Sequence, residues 1–591
     1  MKRSEIPEKY KWHLNDLVKD SDEFEASFKA ILDKLPEITQ YAGKLGEKDK
    51  ALACLKLVSQ VSQQLETLYV YAHQLMHGDV SDSAAVGLSN RTEALIGKMM
   101  TAQSFISSEL GSLAEEVLDS YIKDPKFGDY DYMLKEIVRK KAHILSDKEE
   151  RLLAMSAEAL GNPSNVASML MNADLKFEPV KKKGRKRELT NESYSVFLSD
   201  EDRAVRKNAF ENLYAGYISH INTLTANYAG SVKADNFDAL ARGYSSRLEQ
   251  AMNGENVPTA VYENLIKAVS KNLEPLHRYI ALRKKLLNLD ELHMYDLYVP
   301  VVGNAEMKLS YEDACETVLT ALKPMGDEYV GLLKRAMTEG WIDVMPNDNK
   351  RGGAYSWNAY GTHPYVMLNY APTTHDIFTI AHELGHCLHS YYSAEAQPYE
   401  KAGYEIFVAE VASTCNETLL LNYFMNNVKD VDIKKYLLSY RLDMFRTTLF
   451  RQTMFAEFEY EAHKMDLEGK PLTPATLCEL YHELNKKYYG PAVISDDQIK
   501  YEWSRIPHFF TPFYVYKYAT GLTAATSIAE SILSKDGYVD VYKNKFLKAG
   551  GHKSPYEILC DAQVDLATDK PYDDAFKVFN SALDELEKLS K

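Results

Sequence analysis

His382-Glu383-Leu384-Gly385-His386 matches the pattern H-E-x-x-H. On an α-helix, residues four apart lie one above the other, so His382 and His386 can grip a single zinc ion. Glu383 sits beside the first ligand and can reach a water on that metal without binding the metal itself, as a general base must. A catalytic zinc also needs a third protein ligand and an open fourth position. Two glutamates downstream compete for that place, Glu405 and Glu410. A helix beginning near Tyr404 puts Glu405 in its exposed first turn, where the helix dipole alone favours an acid. Glu410 is flanked by Phe407, Val408, Val411 and Ala412, an apolar setting in which an unpaired carboxylate is expensive and a cation is needed. Glu410 is therefore the expected third ligand. Ser413 and Glu417, three and seven residues on, share its face and would orient the ligands. His375 and His389 read as ordinary solvated or hydrogen-bonded histidines. On the motif alone, two surface histidines on an unrelated helix is the competing reading.

The elements that must position these groups are local and legible. Thr373 and Asp376 have the spacing of a helix N-cap, and Ile377, Phe378, Ile380, Ala381, Leu384 and Leu388 then recur at helical period. Gly385 leaves room for a close neighbour, either substrate or another backbone. Ahead of the helix, residues 363–370 read as a strand beside the metal, either an edge able to pair with an extended peptide or an ordinary sheet strand. Gly352-Gly353 marks a mobile or tightly approaching loop. A second constellation lies near the C-terminus, where His508, Tyr514, Tyr516 and Tyr518 precede a small-residue helix from Gly521. A His or Tyr side chain suits the oxyanion formed when water attacks an amide, and an aromatic core stripe is the alternative reading.

The rest of the chain is mainly helical in pattern. Long amphipathic helices are expected over residues 22–121, with a break at 79–83, and over 130–160, ending at Gly161-Asn-Pro-Ser164. Residues 175–180 and 188–198 look strand-like around the basic segment 181–187, so a β-hairpin with a basic tip is expected. It marks the expected boundary between an N-terminal helical domain, 1–199, and a catalytic domain, 200–591. Helices resume after it, and no internal repeat is evident.

The 591 residues carry a net charge of −16, with 45% hydrophobic and 26% charged residues. That composition is globular, and its acidity argues against nucleic acid or an anionic membrane as a partner. No apolar run approaches the ~20 residues of a membrane span, and the first ten residues lack the apolar core of a secretory signal. Six scattered cysteines without C-x-x-C pairing read as free thiols in a reducing compartment, so a cytoplasmic location is expected.

His382-Glu-Leu-Gly-His386 followed by Phe407-Val-Ala-Glu410-Val-Ala-Ser413 resembles the zinc metallopeptidase family of thimet oligopeptidase and neurolysin, and most closely its bacterial oligoendopeptidase F branch. The likeness extends from Trp12-His-Leu-Asn-Asp-Leu17 to Gly550-Gly551 and Ala562-Gln-Val-Asp-Leu566. The resemblance implies a mainly α fold, an elongated helical shell around a deep substrate channel, with a small β-sheet beside the zinc helix. It implies one zinc ion per chain and hydrolysis of internal bonds in short unstructured oligopeptides. It also implies that a C-terminal histidine and tyrosines serve the oxyanion. The histidine carries over to His508. The tyrosines carry over to Tyr514 and Tyr516, with Tyr518 in the same run, because this segment reads Tyr-Val-Tyr-Lys-Tyr where the thimet branch has a glycine-and-tyrosine loop. An exopeptidase with the same core chemistry and a peptide-binding protein without turnover are the rival readings. Intact Glu383 and a full ligand set speak against the second.

Overall fold

The structure, a computed structural model, describes residues 1–303, 305 and 307–591. It is mainly helical, with strands confined to small sheets of two or three. The chain makes two compact units, each from three segments: 1–142, 306–423 and 528–564 in the first, 143–305, 424–527 and 565–591 in the second. Both units draw residues from either side of the expected 199/200 boundary.

In the first unit, helices α1 (Ser21–Thr39), α2 (Lys48–Gly78) and α3 (Ser83–Gln103) pack on one another. Asp20 and Asp82 cap α1 and α3 by accepting from the first-turn N–H groups. Apolar residues recurring along α2, among them Val61, Leu65 and Leu68, share one core with Trp12, Leu14 and Leu17 and with Ala359, Tyr365 and Met367. The N-terminal helices are thus bonded by burial to the segment ahead of the expected zinc helix. The chain start is pinned to the same place. His13 N–H donates to the Gly340 carbonyl at 2.7 Å, and the His13 ring fills the space a Gly340 Cβ would take.

Three strands follow: β1 (Ile342–Asp343), β2 (Tyr355–Trp357) and β3 (Tyr365–Met367), in the order β1-β3-β2. Strand β3 pairs parallel with β1 (Val366 opposite Ile342) and antiparallel with β2 (Tyr365 opposite Trp357, Met367 opposite Tyr355). The strand expected within 363–370 therefore exists, but it lies in the middle of the sheet. The outer position belongs to β2, which lies against the next helix, α4 (Thr374–Ala396). Helix α5 (Ile406–Asn427) completes the elements around the motif.

The second unit corrects two local expectations. Helix Asp147–Met169 runs straight through Pro163, where a break is expected. The Pro163 carbonyl accepts from Asn227 Nδ2 at 2.8 Å, and the helix that carries Asn227, Ile221–Ala241, packs along its length. Tertiary packing outweighs the backbone hydrogen bond that proline removes. The hairpin forms, but only as Val180–Lys182 against Arg185–Arg187, joined by Lys183 and Gly184 with φ of 49° and 73°. Residues 191–198 are helix, not strand. Thr190 Oγ1 accepts from Ser193 N at 3.1 Å and Ser193 Oγ accepts from Thr190 N at 2.8 Å, a reciprocal cap that starts helix Asn191–Leu198.

Candidate metal centre

Helix α4 begins as its sequence predicts. Thr373 is the N-cap, with its Oγ1 accepting from Asp376 N at 3.1 Å. Ile377, Phe378, Ile380, Ala381, Leu384 and Leu388 are all buried. Helix α5 crosses it very closely at Gly385. A Cβ there would lie 2.6 Å from Ser413 Cα and 2.8 Å from the Ala412 carbonyl oxygen, so the close neighbour of Gly385 is backbone. Asn416, buried on α5, ties the two helices: its Nδ2 donates to the Ala381 carbonyl at 3.1 Å and its Oδ1 accepts from Tyr329 OH at 3.0 Å. Nothing in the motif pointed to Asn416. Its only sequence signal is an amide amid the apolar residues of that helix.

This crossing brings together His382, His386 and Glu410. Their Nε2, Nε2 and Oε2 atoms form a triangle with sides of 3.2 Å between the imidazoles and 3.3 and 3.4 Å to the carboxylate. Donors ~2.0–2.1 Å from the centre of a tetrahedron sit ~3.3 Å apart, so the spacing fits zinc. Glu405 is exposed, immediately ahead of α5, and outside this group. Glu410 reaches the cluster by position and not by burial, since its side chain is 51% exposed. The apolar neighbours that suggested a buried carboxylate, Phe407, Val408, Val411 and Ala412, are themselves buried, while the Glu410 side chain between them stays half exposed.

The donor set calls for a cation. His382 Nδ1 is hydrogen-bonded to the Glu417 carboxylate, which holds that proton on Nδ1 and turns the Nε2 lone pair to the cluster. Ser413 Oγ donates to Glu410 Oε2 at 3.0 Å. Burial pulls the His382 imidazole toward neutrality, but Glu410 and Glu417 outweigh it and hold its pKa up at about 10. The two imidazoles hold Glu410 well below the usual carboxylate range. Glu383 is buried, and that burial raises its carboxyl above the ordinary value against the pull of the two histidines. His375 is exposed. His389 is buried, its ring 3.7 Å from Tyr404 and 5.1 Å from Phe546 in stacked geometry, and burial lowers its pKa to about 3. Gly550 and Gly551 let their segment meet the chain just before α5: Gly551 N–H donates to the Lys401 carbonyl at 2.7 Å, where a Gly550 Cβ would clash.

His508 and the tyrosines belong to the second unit. The Tyr518 hydroxyl and His508 Nε2 are hydrogen-bonded at 3.3 Å, and the Tyr514 ring stacks on His508 at 6.2 Å. Tyr516 does not join them. It is 1% exposed, with its ring 5.2 Å from that of Tyr262 in the unit's interior. The reason is register: Tyr516 opens helix Tyr516–Ser534 with its ring in the interior, whereas Tyr518, two residues along, points to the opposite side, where Tyr514, just ahead of the helix, also meets His508. Tyr518, the third tyrosine of the run, takes the place expected for Tyr516. Phe513 sets that register. It has φ of 58°, rare for a bulky residue, and its N–H donates at 2.8 Å to Glu459, a carboxylate fully buried in helix Arg451–Leu467 and pushed well above the usual range by that burial. Burial and the charge of Arg451 lower the His508 pKa, so its ring is neutral at pH 7.

Comparison with known proteins places this geometry in a family. The model of Peptidase family M3 matches residues 196–578, and that of Oligopeptidase F matches 109–177. Oligopeptidase PepF of Bacillus subtilis is 42% identical over 99% of this chain and 88% of its own length. A Chlamydophila abortus protein solved as a candidate peptidase superposes with a TM-score of 0.96 at 34% identity, covering 100% of this chain and 99% of its own. Oligoendopeptidase-F from Enterococcus faecium gives a TM-score of 0.73 at 35% identity, covering 96% and 99%.

Proposed function

The chain belongs to peptidase family M3 and is a metalloendopeptidase; from that premise we propose that it hydrolyses internal bonds of short unstructured oligopeptides, using one zinc ion held by His382, His386 and Glu410 and Glu383 as general base. The observation that carries this reading is the convergence of two imidazole nitrogens and a carboxylate oxygen at tetrahedral spacing, next to a second, buried carboxylate. Zinc, when bound, lowers the pKa of water toward ~7 and polarises a carbonyl. Glu383 accepts the proton of the attacking water and passes it to the leaving amine. Its raised pKa suits both halves of that transfer, which is typically worth ~10²–10⁴-fold in rate. Glu417 fixes the His382 ring and Ser413 the Glu410 carboxylate, so neither ligand has to be ordered when metal arrives.

His508, with Tyr514 and Tyr518, is assigned the oxyanion, each donor being worth ~3–4 kcal/mol of barrier. Neutral His508 keeps an N–H to donate and withholds a charge that would compete with the metal. Substrate backbone is assigned to β2. Val366 and Leu368 N–H groups bond to the β1 side, so Tyr355 and Trp357 face β3 and Ser356 turns its N–H and C=O to the edge on which no described strand pairs. For the division into an N-terminal part, 1–199, and a catalytic part, 200–591, the support is that one family match ends at 177 and the other begins at 196, close to that boundary, although both compact units cross it. Cytoplasmic residence belongs to the same proposal and is supported by six free cysteines, five of them buried. Among the described residues no helix is long and apolar enough to cross a membrane.

The test is mass spectrometry of a pool of peptides, ~5–30 residues long, incubated with the protein before and after chelation. Internal cuts that vanish with chelator and return with zinc are expected. Stepwise loss from one terminus would make the protein an exopeptidase. Absence of cleavage with zinc bound would make it a peptide-binding protein.

A further inference from the structure

At Gly385 helices α4 and α5 touch backbone to backbone, through surfaces that resist closer approach but carry no direction. Such a contact is a pivot, about which α5 could still turn. The residues that matter to the metal centre lie on either side of it. Glu410 stands three residues before Ser413 and Glu417 four residues after it. Both carboxylates meet the His382 ring, Glu410 at Nε2 (3.3 Å) and Glu417 at Nδ1. A turn of α5 therefore carries one of them toward His382 and the other away.

One helical turn from the pivot, a directional bond closes that freedom. Asn416 Nδ2 donates at 3.1 Å to the carbonyl of Ala381, the residue before His382, and Asn416 is itself the residue before Glu417. A carbonyl only accepts, so the amide must turn its Nδ2 to Ala381 and its Oδ1 the other way. There Oδ1 accepts from Tyr329 OH at 3.0 Å. Tyr329 lies on helix Asp327–Thr338 and braces both helices that carry the ligands. Its hydroxyl reaches α5, and its ring stacks on that of Tyr392 in α4 at 6.2 Å. Burial pushes the Tyr329 phenol well above its ordinary pKa, so the hydroxyl keeps the proton it donates. Asn416 and Tyr329 are both buried, and neither bond competes with solvent. The arms about the pivot are equal, since Glu410 and Asn416 each stand three residues from Ser413, ~4.5 Å along the axis. A slip at Asn416 is thus returned in full at Glu410.

We propose that Tyr329 and Asn416 are positioning residues for the metal centre: the hydroxyl orients the amide, and the amide fixes the rotation of α5 that sets Glu410 and Glu417 against His382. Their role rests on the zinc reading above, and neither residue belongs to the donor set itself.

The experiment uses the full chain in three variants. Tyr329→Phe deletes one hydroxyl and keeps the ring on Tyr392; Asn416→Ala removes the amide; the third variant combines them. Zinc affinity is measured by competition with a chelating dye. Asn416→Ala should weaken it by about 10- to 100-fold, the range for loss of an orienting group. Tyr329→Phe should weaken it by about 2- to 10-fold, the worth of one hydrogen bond. Because the tyrosine acts only through the amide, the double variant should bind zinc as Asn416→Ala does, a full departure from additivity. Two further readouts separate positioning from stability alone. The visible spectrum of the cobalt-loaded protein, which reports ligand geometry, should change in Tyr329→Phe, and kcat should fall at unchanged KM. A purely structural tyrosine would lower the unfolding midpoint of the metal-free protein and leave the cobalt spectrum and zinc affinity as they are. Unchanged affinity and spectrum in a folded Tyr329→Phe protein overturn the proposal, as do losses that simply add in the double variant. Should Asn416→Ala not fold, Tyr329→Phe alone decides. An unmodified chain that binds neither zinc nor cobalt would overturn the zinc reading together with this one. Metal binding that Tyr329→Phe leaves untouched overturns this one alone.

Discussion

Gly385→Ala places a single methyl group at the crossing of α4 and α5, and its consequence can be worked from distances. The new Cβ would stand 2.6 Å from Ser413 Cα, 2.8 Å from the Ala412 carbonyl oxygen and 2.9 Å from Ser413 N. Ordinary contact begins near 3.4 Å, so α5 must retreat by roughly 0.8 Å, and since all three neighbours are backbone no side chain can rotate out of the way. Alanine favours an isolated helix by ~1 kcal/mol over glycine, whereas overpacking a buried contact costs ~1–3 kcal/mol. The clash wins, by a margin of up to ~2 kcal/mol. The retreat also carries Glu410 away from His382 and His386. Sides of 3.3 and 3.4 Å would open toward ~4 Å, beyond the ~3.3–3.6 Å that separates donors ~2.0–2.2 Å from one tetrahedral zinc. Zinc affinity should then fall by at least the ~10–100-fold seen when orienting groups are lost. Competition with a chelating dye measures that affinity, and thermal unfolding of the metal-free protein measures the packing cost. A Gly385→Ala protein with unchanged affinity and unchanged midpoint would refute the argument that glycine is there to let the two helices touch.

The other expectations concern single groups. Glu383→Gln should keep zinc and lose turnover by ~10²-fold or more, read by metal analysis alongside peptide cleavage; full activity would remove Glu383 from the role of base. Glu410→Gln should release metal while Glu405→Gln does not, and the reverse outcome would move the third ligand to Glu405. Zinc uptake should expel about one proton at pH 7. The raised pKa of His382, about 10 without metal, means that its Nε2 is protonated at pH 7 and must give that proton up, so apparent affinity strengthens as pH rises. Calorimetry in buffers of differing ionisation enthalpy counts the proton, and a count of zero contradicts the reading. Glu459→Leu should destabilise the protein by ~1–3 kcal/mol through the unpaired Phe513 N–H, with Glu459→Gln retaining most of the stability; equal midpoints for the two would show that the hydrogen bond is not what holds the Phe513 turn.

These groups differ in how far the sequence alone could locate them, and the difference follows the range of the interactions. The cap at Thr373 and the buried stripe of α4 depend on neighbours within two turns, and both are legible in the residues themselves. Helix Asn191–Leu198 is a near miss of the same kind, because a short-range cap at Thr190 outweighs β-branched and aromatic residues that suggest a strand. The position of β3 in its sheet depends on Ile342 and Asp343, more than twenty residues upstream, and no periodicity within 363–370 encodes a partner at that distance. Pro163 is harder still, since the helix persists through it only where Ile221–Ala241 packs alongside. The tyrosines are the most telling case. Tyr-Val-Tyr-Lys-Tyr offers three candidates, and the choice turns on where the helical register starts. A buried Glu459 sets it by holding Phe513 at positive φ from more than fifty residues away. Composition can show that a donor is available, but only a long-range contact can decide which tyrosine faces His508.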